Sequence, residues 1–204
     1  MEKDINLISD KILELADLSL NFSKINRVTL HQDGKRPESD TDHTFMLSLL
    51  ACSFANTFYK DKLDIGLVSQ FATVHDLVEV YAGDTDTLVY NGENAKKIKE
   101  EKELESVQRI KKEFGLEFPW IHETIEKYES QYTKEARFIK IIDKILPKIT
   151  GIFNNGIAIK RRKNKEEYRR FLEDQINSYK KYNEEFPELF LVFNEINKRS
   201  LDAF

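Results

Sequence analysis

"TVHDLVEVYAGD", residues 73–84, places ionisable side chains inside an apolar, helix-like pattern. His75 and Asp76 follow an apolar run, and Glu79 comes one turn later. On a helix, His75 and Glu79 share one face, while Asp76 lies about 100° round from His75. A buried carboxylate is costly unless it is paired or bound to a metal. An isolated His-Asp pair more often just ends a helix, so its meaning depends on the rest of the chain.

Two further segments place ionisable residues where apolar ones are expected. His43 stands at the start of the most apolar helical segment, residues 43–59. Asp143 lies in the apolar stripe "ARFIKIIDKILPKI", where either Lys140 or Lys144 could supply its counter-charge. Alone, His43 would be a histidine in the first turn of a helix, and Asp143 would be one half of an ion pair.

Taken together, the three segments offer two imidazoles and two carboxylates on apolar helices. One divalent cation would satisfy all four, and its charge would balance the two carboxylates. Nitrogen and oxygen donors without a thiolate favour Mn, Co, Fe, Ni or Zn. The sequence therefore predicts one divalent metal site with the ligands His43, His75, Asp76 and Asp143.

The fold class follows from the scarcity of helix breakers and strand signals. Seven glycines and four prolines in 204 residues predict long helices and an all-α fold. We expect one domain over residues 1–204, built as a helical bundle with the metal site in its centre. The core of this domain covers about residues 20–150, and the C-terminal helices over 165–204 pack on that core. Helices are predicted over 5–21, 43–59, 64–80, 93–114, 119–129, 134–153 and 165–182, with a last helix from Pro187, and loops over 26–41 and 82–93.

Composition excludes several classes of protein. A net charge of -4 gives no electrostatic footprint for nucleic acid, and no apolar run reaches the roughly 20 residues of a membrane span. The N-terminus alternates charged and apolar residues, unlike a secretory signal. Cys52 is the one cysteine, so no internal disulfide can form, and we expect a cytoplasmic protein.

Four motifs resemble those of HD-domain metal-dependent phosphohydrolases, most closely the 5'-deoxynucleotidase subgroup. They are "INRVTL", "RPESDTDH", "VHDLVEVYAGD" and "YESQYTKEARFIKIIDKI", between about residue 20 and about residue 150. The resemblance implies roles for seven residues: metal binding by His43, His75, Asp76 and Asp143, handling of the attacking water by Glu79, a sugar contact by Asp84 and phosphate binding by Arg27. Bacterial members of the subgroup have tryptophan after that arginine. Here Val28 stands in its place, which leaves the choice between deoxyribose and ribose open.

The activity implied by the resemblance is hydrolysis of a nucleoside 5'-monophosphate to nucleoside and phosphate, by a homodimeric enzyme. One alternative is a hydrolase of (p)ppGpp on the same scaffold. The resemblance implies a Glu-Asp pair in such hydrolases, and here Val80 follows Glu79, so the second acid is missing. Another is a metal-stabilised binding protein without turnover. A di-iron oxygenase would need more histidines, and of the remaining two, His31 lies in a polar segment and His122 is predicted to be exposed.

Overall fold

A computed structural model of the protein describes residues 4–84 and 93–204. These residues form a bundle of helices with one short pair of strands. In chain order the elements are α1 (Ile5–Phe22), β1 (Asn26–Leu30), β2 (Pro37–Ser39), α2 (Asp40–Phe58), α3 (Ile65–Val74), α4 (Glu79–Ala82), α5 (Glu93–Phe114), α6 (Trp120–Glu129), α7 (Lys134–Phe153), α8 (Ile157–Lys160), α9 (Lys165–Tyr179), a 3₁₀ turn (Lys180–Tyr182) and α10 (Pro187–Asp202). The all-α prediction is confirmed, and residues 85–92 of the predicted loop lie outside the described residues.

Helix α7 forms the centre of the main hydrophobic core. It begins after Thr133, whose hydroxyl accepts a hydrogen bond from the backbone N–H of Ala136. Its apolar side chains recur at helical spacing and pack against α2, α3 and α10. Buried members of this core include Leu47, Phe71, Ile139, Leu146 and Phe193. A second cluster, between α1, α3, α5 and α6, covers the other side of α3.

Residues 26–41 were predicted to be a loop, and this prediction is wrong. β1 and β2 pair in antiparallel fashion, with Asn26 opposite Ser39. Gly34 makes the turn possible because its φ is +67°, in the left-handed region that favours glycine. A Cβ on Gly34 would lie 2.5 Å from Cδ1 of Ile157, so the turn also packs closely against α8. The side-chain amide of Asn154 donates to two carbonyls at the end of β1 and ties the strands to the end of α7.

The predicted helix over 64–80 is interrupted at the His-Asp pair. Helix α3 ends at Val74, residues 75–78 form turns, and α4 begins at Glu79. The backbone N–H of Glu79 donates to the carbonyl of Asp76 at 2.9 Å, a three-residue spacing that is tighter than an α-helical turn. The pair therefore lies at a break between two helices, where both side chains can turn toward one point.

Helix α10 packs on α7, and α9 packs on α10. The short helix α8 was not predicted. Among the described residues, no helix has the length and apolar character needed to cross a bilayer. The expectations of a single domain, a homodimer and a cytoplasmic location stay predictions.

Candidate functional site

Three segments distant in sequence bring the four predicted metal ligands together. His43 comes from the first turn of α2, His75 and Asp76 from the break after α3, and Asp143 from the middle of α7. One ligand atom from each residue lies within 4.8 Å of all the others. The first turn of α2 is fixed by a reciprocal capping box between Ser39 and Asp42, which orients the buried His43.

The ring of His75 is held in an orientation that exposes a lone pair to the cluster. Its Nδ1 lies 2.9 Å from the carbonyl oxygen of Ala72, which can only accept, so Nδ1 carries the proton. Nε2 is then an acceptor. It lies 3.0 Å from Oδ2 of Asp76, yet it is buried and has no hydrogen-bond partner. Two acceptors facing each other at this distance require a proton or a cation between them.

His43 has a carboxylate on each side of its ring. Its Nε2 lies 3.0 Å from Oδ1 of Asp143, and its Nδ1 lies 3.5 Å from Oε1 of Glu38. Burial and the charge of Arg27 lower the pKa of His43, but the carboxylates of Asp143 and Glu38 outweigh them and raise it to about 9. A cation bound at Nε2 would replace that proton.

The donor set and its spacing fit one divalent cation. Two bonds of about 2.2 Å on opposite sides of a cation separate their ligand atoms by about 4.4 Å. The ligand atoms of the cluster, which all lie within 4.8 Å of one another, are close enough together to share one ion. The set combines two imidazoles with two carboxylates, and the unpartnered Nε2 of His75 points into it. Nδ1 of His75 lies at a backbone carbonyl, and a carboxylate lies 3.5 Å from Nδ1 of His43 without a hydrogen bond between them. Acceptors on this side of the ring orient histidine ligands in metal sites.

Lysine pairing explains only part of the environment of Asp143. Lys144 lies 2.7 Å from Oδ2, so of the two lysines considered from the sequence, Lys144 supplies the counter-charge. The other oxygen, Oδ1, faces His43. Burial alone would raise the pKa of Asp143, but Lys144 and His43 outweigh it and hold the pKa well below the usual range. Asp143 is thus a carboxylate with one oxygen available to the cluster.

Arg27 lies beside the cluster, on β1. Its NH1 is 2.6 Å from Oδ2 of Asp76, 3.1 Å from Oδ1 of Asp40 and 3.9 Å from Oε2 of Glu79. Asp40 was not identified from the sequence, where it falls in the segment 26–41 that was predicted to be a loop. Burial, opposed by Arg27, raises the pKa of Asp40 to about 6. Asp40, Asp76 and Glu79 also bring oxygens within 4.8 Å of one another, but the guanidinium of Arg27 already contacts this group.

Glu79 is buried at the start of α4 and faces the same space. Its Oε2 has no hydrogen-bond partner, and its Oε1 lies 3.8 Å from Nζ of Lys99, a residue of α5 that the sequence did not indicate. Burial and the charges of Asp76, Asp40 and Asp84, opposed by Arg27, raise the pKa of Glu79 to about 11. Without a bound cation, Glu79 therefore carries a proton at neutral pH.

Several of these groups line a cavity of about 130 Å³. Arg27, Asp76, Glu79 and Asp143 line its charged end, and Asp84 and Val28 line it as well. Residues of α7, α8 and α9, among them Lys148, Ile159 and Gln175, complete its lining. The structure therefore places every predicted site residue at the cavity except the two histidines, which are buried in the cluster behind it.

The remaining histidines do not extend the cluster. Among residues 4–84 and 93–204, neither group of potential metal ligands contains His31 or His122. His122 was predicted to be exposed, and this prediction is wrong: it is buried on α6, with its Nδ1 unpartnered. No second histidine-rich site of the di-iron type is present in the described part of the chain.

Known proteins resemble the chain at low sequence identity. Human 5'-deoxynucleotidase HDDC2 is 27% identical over 115 residues, which are 56% of this chain and 53% of that protein. The protein of the same name from Mus musculus is 26% identical over 115 residues, with 56% and 54% covered. The chain thus spans about half the length of the curated relatives it matches.

Solved structures share the fold over nearly the whole chain. A predicted metal-dependent phosphohydrolase from Magnetospirillum magnetotacticum superposes with a TM-score of 0.72 at 19% identity, with 96% of each chain covered. A conserved hypothetical protein from Pyrococcus furiosus superposes with a TM-score of 0.60 at 23% identity, covering 91% of this chain and 99% of the other. The family model described as HD domain matches residues 21–190, which is most of the sequence, and the chain therefore belongs to the HD domain family.

Proposed function

We propose that the protein is a metal-dependent phosphohydrolase that converts nucleoside 5'-monophosphates to nucleoside and phosphate. One observation carries the proposal: the buried, unpartnered Nε2 of His75 faces a carboxylate in a four-donor cluster at the edge of a cavity. Arg27 and Glu79 line the same cavity. The names of the human and mouse relatives support the choice of a nucleotide as substrate.

His43, His75, Asp76 and Asp143 would hold the cation. When bound, a divalent cation offers a Lewis-acid contact to a phosphoryl oxygen and lowers the pKa of a water molecule toward neutrality. The ligands also explain why the cluster is tolerated in a hydrophobic core, because two carboxylates balance the charge of one divalent ion. Arg27 and Lys144 already pair with Asp76 and Asp143, whereas Nε2 of His75 has no hydrogen-bond partner and a cation would supply one.

Arg27 is placed to bind the phosphoryl group. Within the described part of the chain, its ion pairs all use NH1, so Nε and NH2 remain available to phosphoryl oxygens. A guanidinium binds two such oxygens side by side and keeps its charge at every physiological pH. The contacts of NH1 with Asp76 and Asp40 fix the orientation of the planar group toward the cavity.

Glu79 is the group that moves a proton. Its carboxyl group lies at the cavity, buried and without a hydrogen bond at Oε2, so it can bond a water molecule or the leaving oxygen. Asp84 accepts hydrogen bonds and is assigned to a sugar hydroxyl at the same cavity. Val28 borders the space as an apolar residue and offers no hydrogen bond by which to distinguish ribose from deoxyribose.

Metal-reconstituted phosphate release tests the proposal. The protein is stripped with chelator, reloaded separately with Mn²⁺, Co²⁺, Ni²⁺, Fe²⁺ or Zn²⁺, and assayed against all nucleoside 5'-monophosphates, with 3'-monophosphates and (p)ppGpp as comparison substrates. We expect no release from the stripped protein and recovery with at least one ion, selectively on 5'-monophosphates. Full activity of the stripped protein, or nucleotide binding without phosphate release by any loaded form, would contradict the proposal.

A further inference from the structure

A buried lysine borders the same cavity. Lys148, on α7, is only 3% exposed and lines the cavity wall. Its ammonium donates hydrogen bonds to the carbonyl of Lys144 and to Oε1 of Gln175. In the described ranges of the chain, no carboxylate forms an ion pair with it. Burial and the charge of Lys144 lower the pKa of Lys148 to about 7, so the charged form is costly until another group satisfies it.

Lys148 and Gln175 together present only donors to the cavity. An ammonium group has three donors and no acceptor, so the oxygen of the Gln175 amide must be the atom that faces it. This fixes the amide orientation and leaves the NH₂ group as the free end of Gln175. Two of the three N–H groups of Lys148 donate within the protein, and the ammonium also lies 4.8 Å from the centre of the Phe193 ring. A ligand in the cavity would take the donor that is not hydrogen-bonded.

The surroundings of this pair suit a flat organic group. Ile159, Tyr168 and Phe171, from α8 and α9, line the same part of the wall. Lys148 follows Asp143 by five residues, which places it about 7.5 Å further along the helix. A ligand whose phosphate is held near Asp143 therefore extends its opposite end toward Lys148.

We propose that Lys148 and Gln175 form a nucleobase subsite that selects an oxo group over an amino group on the base. The inference rests on the proposed function, since it takes the phosphate of a nucleoside 5'-monophosphate to lie at the charged end of the cavity. Guanine and thymine present carbonyl acceptors where adenine and cytosine present amino donors. A donor-only wall pairs with the former and leaves the amino group of the latter facing other donors.

Matched pairs of substrates change one edge of the base. dIMP and dAMP differ at C6 and in the proton on N1 of the purine, and dUMP and dCMP differ at C4 and in the proton on N3 of the pyrimidine, with phosphate and sugar unchanged. We expect the metal-loaded protein to show a kcat/KM about tenfold or more higher for the oxo member of each pair, since a hydrogen-bonded base contact discriminates by roughly 1–3 kcal/mol.

Three variants separate the subsite from general effects. Lys148→Met, which removes the ammonium at nearly constant volume, should bring the oxo-to-amino ratio to within about threefold of unity. Gln175→Glu replaces a donor by acceptors and should shift the ratio toward the amino bases. Lys165→Met changes an exposed lysine at the start of α9 and should leave the ratio unchanged. Thermal melting confirms that each variant is folded.

Two results would overturn the inference while leaving the hydrolase intact. One is an oxo-to-amino ratio near unity in the wild type. The other is a ratio that survives in Lys148→Met. If kcat/KM then falls equally for both members of each pair, the ammonium binds a phosphate. If no 5'-monophosphate is hydrolysed, the proposed function fails, but the subsite can still be tested by measuring the binding of inosine and of adenosine by calorimetry. Equal affinities for the two nucleosides would refute the subsite. Tighter binding of inosine that is lost in Lys148→Met would support it.

Discussion

Glu38 and His43 form a buried carboxylate–imidazole pair behind the four predicted metal ligands. Oε1 of Glu38 lies 3.5 Å from Nδ1 of His43, on the side of the ring away from Asp143. Glu38 is 1% exposed, and neither of its oxygens has another hydrogen-bond partner within the described residues. A carboxylate in this position holds the proton of the imidazole on Nδ1 and turns Nε2 toward a metal. Glu38 is thus a positioning residue that the sequence reasoning did not identify.

Replacing the charge of Glu38 should weaken metal binding. Glu38→Gln keeps the size of the side chain but removes the negative charge that makes His43 a stronger ligand. We expect the metal affinity to fall by about 10- to 100-fold, measured by titration against a competing chelator. Glu184→Gln, at an exposed carboxylate, is the matched control and should bind metal as the wild type does. An affinity unchanged in Glu38→Gln would remove Glu38 from the site.

Metal binding should also depend on pH through His43. The pKa of His43 in the metal-free protein is about 9, so below that pH a cation must displace a proton from the ring. The apparent association constant should therefore rise about tenfold per pH unit from pH 7 to about 9 and then level off. Calorimetric titrations in buffers of different ionisation enthalpy count the proton released. Binding that does not vary over this pH range would show that His43 is already deprotonated.

The sequence was most informative where one helix carries its own signal. Helix α7 was predicted over 134–153 and spans Lys134–Phe153, because its apolar stripe and its capping threonine are both local. The four predicted ligand positions stood out for a related reason: each is an ionisable residue in a segment that is otherwise apolar. Such a contradiction is visible without knowing which segments meet.

Features that depend on distant contacts were not predictable in the same way. The β1–β2 pair is held by Asn154, more than a hundred residues away, and residues 26–41 alone look like a polar loop. The break at residues 75–78 has no glycine or proline to mark it. Lys148 and Gln175 are ordinary residues of charged helices, and only the packing of α9 on the cavity shows that they meet.

Glu79→Gln should separate catalysis from metal binding. The substitution keeps the hydrogen-bonding shape of the side chain but removes its ability to give or take a proton. We expect the variant to bind one equivalent of metal and to lose about 10²- to 10⁴-fold in kcat for its best 5'-monophosphate. Metal content is measured by elemental analysis, with the exposed Glu105→Gln on α5 as the control. A variant with wild-type kcat would show that another group moves the proton.

The buried ammonium of Lys148 should make stability depend on pH in a defined direction. Burial and the charge of Lys144 lower the pKa of Lys148 from 10.5 in the unfolded chain to about 7 in the folded protein. At a pH between these two pKa values, the lysine takes up a proton when the protein unfolds. The free energy of unfolding therefore falls progressively as the pH falls from about 10 to about 7, and this group changes it no further at lower pH. Lys148→Met removes the effect.

We expect the variant to be more stable than the wild type at pH 7 by on the order of 4 kcal/mol, with the difference vanishing near pH 10. Urea unfolding of the metal-free proteins at several pH values measures the difference, and Lys165→Met should follow the wild type throughout. A constant difference between Lys148→Met and the wild type across this range would mean that Lys148 has an ordinary pKa and is already satisfied without a ligand.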